Sequence, residues 1–135
     1  MGFSEVAALK YSTEFIFGKV LEKKNLQLRL DLPIPPVYFE SKTPLAHFQD
    51  AIKEQFGFAP DVFLNAYSAK NNEIFLVDDL NYYQSMKRCM DDSLAHELTH
   101  YVQFKYQNFD MNDESLESDA VAVQTWFRET FCQLQ

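Results

Sequence analysis

The chain has 135 residues, enough for one domain, residues 1–135, with a substantial core. It is 47% hydrophobic with thirteen Phe and seven Tyr, a composition that can fold without covalent staples. A formal charge of −8 argues against nucleic acid or an anionic membrane surface as partner, and no apolar run approaches the length of a membrane span. The same charge favours basic or neutral substrates. Met1-Gly2-Phe3-Ser4-Glu5 shows no signal peptide and only part of a myristoylation pattern. As it stands the chain reads as soluble and cytoplasmic; if a signal peptide was removed, it reads as exported. Cys89 and Cys132 are too few for a disulfide framework, so each is read as a buried apolar residue, with their pairing left open.

In chain order, residues 4–24 are expected to form a helix, with Val6, Leu9, Ile16 and Val20 near one face. Leu26, Leu28, Leu30 and Leu32 then alternate with polar residues, which is strand period. Pro33, Pro35 and Pro36 end regular pairing, and residues 37–39 read as a short strand. Thr43-Pro44 opens a helix whose buried stripe is Leu45, Phe48, Ile52 and Phe56, stopped by Gly57. His47 on this helix reads as an ordinary histidine, not a ligand. Residues 62–68 and 73–77 read as a hairpin about Asn71-Asn72. The second of these strands is the last before the site helices, so it is expected to be the free sheet edge beside the cleft. A helix at about 81–90 follows, then a second at about 92–107 with Asp91-Asp92-Ser93 as its cap. A loop at 108–112 leads to a last helix at about 113–132.

The second-last helix carries His96-Glu97-Leu98-Thr99-His100. Residues four apart stack on one helical face, so His96 and His100 can reach one metal ion from one rigid element. Glu97 is rotated by about one hundred degrees. It is too far round to join them as a ligand but near enough to touch water at the metal. This is the arrangement of a catalytic zinc site, which keeps three protein ligands and one open position. One zinc ion per chain is therefore expected. The chain has three His and spends two of them here. Gln103 and Tyr106 stand where a metzincin would place Gly and a third His, which excludes that class. The remaining third ligand is a carboxylate, Glu114 or Glu117. Glu117 shares a face with Ala120, Val121, Gln124, Phe127 and Phe131, the face expected to pack on the core, and a buried unpaired carboxylate would be costly. Glu117 is therefore preferred.

His96-Glu97-x-x-His100 followed by Glu117 on a helix resembles the gluzincin branch of zinc metallopeptidases. More closely, His96-Glu97-Leu98-Thr99-His100-Tyr101-Val102-Gln103 with Glu117-x-Asp119-Ala120-x-x-x-Gln124 is similar to small, little-characterised bacterial zincin-like proteins. The resemblance covers residues 94–131. It implies a minimal zincin-like α+β fold, a small twisted and mostly antiparallel sheet of three or four strands with helices packed on one side. It further implies zinc on His96, His100 and Glu117, with Glu97 as general base in peptide-bond hydrolysis, most simply as an endopeptidase acting on peptide or protein substrates. Val121 stands where many gluzincins place an Asp that orients a ligand His. Gln103 and Gln124 lie on the ligand-bearing faces and are candidates for that supporting role, the alternative being ordinary hydrogen bonds between helices. The competing functional reading is a zincin-like binding or regulatory module with a zinc site and little or no turnover; a purely structural metal site is a third. An intact Glu97 favours the enzyme, and the small size favours its rivals. Tyr82, Tyr83, Tyr101, Tyr106 and His47 are oxyanion donors in type, and nothing selects among them.

Overall fold

A computed structural model describes residues 5–132. The elements run α1 (Thr13–Lys23), β1 (Val37–Phe39), a 3-10 turn (Glu40–Lys42), α2 (Leu45–Phe56), β2 (Ala66–Ser68), β3 (Glu73–Leu76), α3 (Leu80–Met86), α4 (Met90–Lys105) and α5 (Leu116–Phe131). The fold is α+β, with α1, α4 and α5 layered on one side of a three-stranded mixed sheet. The reading of Met1 to Ser4 lies outside the described residues.

Several expectations change. The first helix starts at Thr13, capped by Ser12, whose hydroxyl accepts from the Phe15 N–H at 3.0 Å. Upstream the chain is extended because it has better partners than a helix offers. Val6 bridges Asp79, and the Asp91 carboxylate accepts from the N–H groups of Lys10 and Tyr11. Residues 26–32 form no strand: Leu28 is 62% and Leu30 93% exposed. Alternation alone cannot make a strand where no neighbour supplies a ladder, and the three prolines leave too little room to find one. Finally, the sheet order is β1-β3-β2, with β3 parallel to β1 and antiparallel to β2. Residues 73–77 are therefore the centre of the sheet and not its free edge.

The alternation of β3 divides the core. Ile74 and Leu76 face the helical layer with Ile16, Phe17, Val20, Leu94, Leu98 and Phe127. Phe75 and Val77 join a smaller cluster with Phe48, Ala51 and Ile52 of α2. Gly57 ends α2 at φ 84, the left-handed position that glycine takes without strain. The hairpin between β2 and β3 turns at Asn72, φ 55.

Helix α4 is the centre of the molecule, and twelve of its sixteen residues are buried, among them Asp91, Asp92, Glu97 and Gln103. Polar groups so placed need specific partners, and those partners position the site. Its N-cap is Cys89, whose N–H donates to the Asp92 carboxylate at 3.0 Å. Cys89 is disulfide-bonded to Cys132, and both are half-buried, so the two cysteines are not buried apolar residues. The bond ties the start of α4 to the end of α5 across 43 positions. On chain-entropy grounds a loop of that length is stabilised by about 4 kcal/mol. Lys24, at the end of α1, forms an ion pair with Asp119 and fixes the first turn of α5 from the other end.

Candidate metal centre

His96 and His100 stand one turn apart on α4, ring centroids 4.9 Å apart, with side chains only 12% and 18% exposed. Glu117 comes from the first turn of α5. Its Oε1 lies 3.1 Å from Nε2 of His96 and 3.1 Å from Nε2 of His100. Sequence reasoning therefore chose the carboxylate that reaches the pair, but for a reason the structure does not support. The Glu117 side chain is 69% exposed and Val121 is 44% exposed, so that edge of α5 is not core. Glu114 precedes the helix, in an exposed turn, and is not among the three residues whose ligand atoms cluster.

The other nitrogen of each ring is held by a glutamine. His96 Nδ1 is 2.7 Å from Gln124 Oε1, and His100 Nδ1 is 2.8 Å from Gln103 Oε1. The amides are oriented from their far ends. Gln124 Nε2 donates to Asp92 Oδ1 at 2.7 Å. Gln103 Nε2 donates to Leu116 O at 2.8 Å and to Asp119 Oδ2 at 2.9 Å. An ionised carboxylate and a carbonyl only accept, so each amide must turn its NH2 outward and its oxygen toward the histidine. Each Nδ1 then carries the proton, and each Nε2 presents a bare lone pair. Two lone pairs and a carboxylate oxygen thus converge with no donor between them. One metal ion satisfies all three groups at once. The donor set, two imidazole nitrogens and a carboxylate oxygen, fits a divalent ion with an open position.

Glu97 is 6% exposed and lines the cleft beside these residues. Burial pushes its carboxyl up from the ordinary range, and His96 and His100 pull it down. Burial also raises Asp92, against donation from Gln124 and the Cys89 N–H and the nearby Arg128. For Asp119 burial acts upward too, but donation from Lys24 and Gln103 outweighs it and holds the carboxyl below its usual range.

The cleft, of about 420 Å³, is walled by β2 and the residue before it, by α4, and by Gln55 and Phe56 of α2. A larger hollow of about 540 Å³ lies between α1 and the segment carrying Leu26, Leu28 and Ile34, away from the histidine pair. None of the five side chains considered as oxyanion donors lines the cleft. Tyr101, Tyr106 and Tyr83 are hydrogen-bonded elsewhere, to Pro33 O, Arg29 N–H and Val77 O. His47 sits beside Glu73 and Tyr38, and Tyr82 packs on Tyr83. The side-chain amides that do line the cleft belong to Gln55 and Asn65.

Sequence reading missed three contributors. From the sequence Asp92 reads only as a helix cap, although Asp92, His96 and His100 repeat at four-residue intervals on one face. Asp119 stands within its motif with no role that the sequence assigns. Gln55 carried no signal, because its place depends on how α2 meets the sheet.

Comparison with known proteins finds no matching family model, no matching curated protein and no matching solved structure. No helix among the described residues is long and apolar enough to cross a membrane.

Proposed function

We propose that the chain is a zinc metallopeptidase holding one zinc ion on His96, His100 and Glu117. The observation that carries this reading is the convergence of two Nε2 lone pairs on one Glu117 oxygen, each ring anchored from behind by an amide. Zinc ligands about 2.0–2.2 Å from a tetrahedral ion sit roughly 3.2–3.6 Å from one another, close to the 3.1 Å spacing here. A zinc ion, when bound, supplies Lewis acidity toward water and a substrate carbonyl. Glu97, on the next position of the same helix, takes the proton from water and returns it to the leaving amine. Gln103 and Gln124 hold the rings. The test is metal analysis of the purified protein together with cleavage profiling on a peptide library, with and without chelator. One zinc per chain and chelator-sensitive cleavage support the reading; absence of zinc after loading overturns it.

Glu117→Ala is expected to weaken zinc by roughly 100-fold or more, and Glu114→Ala to leave it near wild type. Chelator competition on both variants checks this, and the reverse order would move the third ligand to Glu114.

An extended peptide in this cleft would lie against β2, the sheet edge at the site, and satisfy its backbone groups there. That edge is partly taken. Gln55 Nε2 donates to Tyr67 O at 2.9 Å, and Gln55 Oε1 accepts from the Ala69 N–H at 3.0 Å. This is what a peptide group of a fourth strand would do, so substrate competes with Gln55. It is also the observation that favours the second reading, a zincin-like module with weak or no turnover. Gln55→Ala separates them. On the enzyme reading it lowers KM by about 2- to 10-fold with kcat unchanged, the worth of one or two exchanged hydrogen bonds. Steady-state kinetics on the best library peptide measure this, and a raised KM would mean that Gln55 binds substrate itself. The Cys89–Cys132 disulfide supports an oxidising compartment for this activity.

A further inference from the structure

We propose that Asp92 is a positioning residue for the metal centre, acting through Gln124 to decide which nitrogen of His96 is free to bind metal. The inference rests on the metal-site reading of His96, His100 and Glu117. Asp92 is fully buried and Gln124 is 5% exposed, so water does not stand in for either. Both carboxylate oxygens are in use: Oδ2 accepts from the Cys89 N–H and Oδ1 from Gln124 Nε2. An amide is nearly symmetric in shape, and only its partners choose its direction. Asp92 makes that choice for Gln124. Gln124 Oε1 then accepts from His96 Nδ1–H, and Nε2 is left bare on the side of Glu117. The proton pattern at the metal is thus set by a carboxylate that does not touch the metal.

The two histidines differ in this respect. Gln103 is held by a backbone carbonyl, Leu116 O, as well as by Asp119. A backbone oxygen cannot be mutated away, so His100 keeps its pattern without Asp119. For His96 one carboxylate decides, which makes Asp92→Asn a sharp substitution. The new side chain keeps its oxygen on the Cys89 N–H, because that donor has no other partner among the described residues. Its NH2 then faces Gln124, the Gln124 amide turns over, and its own NH2 meets His96 Nδ1. Nδ1 becomes an acceptor, and the proton moves to Nε2, where it blocks the metal.

The experiment uses the full chain with 15N-labelled histidine, metal-free, at about pH 8, above the usual imidazole range. Two-bond 1H–15N correlation spectra assign the tautomer of each ring. Wild type is expected to show both rings protonated on Nδ1. In Asp92→Asn, His96 switches to Nε2–H and His100 does not change. Zinc affinity by chelator competition falls roughly 10- to 100-fold, with the circular dichroism spectrum retained. His96 remaining on Nδ1–H in a folded Asp92→Asn protein overturns the proposal, as does wild-type His96 on Nε2–H. Should Asp92→Asn fail to fold, Gln124→Ala decides instead. It must release His96 from the Nδ1–H form while leaving His100 unchanged, and a His96 that stays fixed overturns the relay. Because the tautomers are read without metal, failure of the relay is distinguishable from failure of zinc binding.

Discussion

Glu97→Gln is expected to bind zinc at full stoichiometry, keep its thermal midpoint within a few degrees, and lose hydrolysis by about 10²- to 10⁴-fold or more. The reasoning separates three properties of one side chain. Glu97 is not among the converging ligand atoms, so the metal does not depend on it. It is nearly buried, and burial already disfavours its charged form, so a neutral amide of the same shape costs the fold little. What the amide lacks is the capacity to accept a proton and give it back. Zinc analysis, thermal unfolding and turnover on one preparation test all three together. Undiminished turnover in a zinc-loaded Glu97→Gln protein would show that Glu97 is not the base.

The parts of this molecule that were legible in its sequence are those where local chemistry and tertiary demand agree. The Thr43-Pro44 start, the Gly57 stop and the stripe of Phe48 and Ile52 describe α2 before any neighbour is known, and the helix runs Leu45–Phe56. The motif helix reads at about 92–107 in the sequence and forms at Met90–Lys105, because four-residue spacing acts within the helix itself; its N-cap is Cys89, so Asp91-Asp92-Ser93 lie inside the helix start and not at the cap. The last helix begins at Leu116 and not near 113, since Asp113 bonds Ser115 in a turn. The failures are of another kind. The leucines at 28 and 30 alternate as a strand would, but a strand exists only if a neighbour pairs with it, and none does among the described residues. The place of β3 between β1 and β2 follows from a parallel crossover that no local pattern announces. At the site, His96, His100 and Glu117 share short spacings or a motif. Asp92, Asp119 and Gln55 act across α4, α5, α2 and the sheet, and such contacts are set by packing.

His96→Ala and His100→Ala are each expected to abolish high-affinity zinc binding and with it the thermal stabilisation that zinc confers. A ligand that binds only the folded state at about a thousand times its dissociation constant adds roughly 4 kcal/mol; a structural contribution of that size is lost when one of three ligands is removed. Each substitution has a second, metal-independent cost. Removing His96 orphans Gln124 Oε1, and removing His100 orphans Gln103 Oε1, both on nearly or fully buried amides. An unsatisfied buried acceptor costs about 1–3 kcal/mol. Gln103 and Gln124 are both buried, so the two substitutions should destabilise the metal-free protein by similar amounts. Unfolding of wild type and both variants, with excess zinc and with chelator, resolves the two contributions. Wild type should shift upward on zinc addition, and the variants should unfold at the same temperature in both conditions. Full zinc stoichiometry in both variants would place the metal elsewhere and remove the basis of the proposed chemistry.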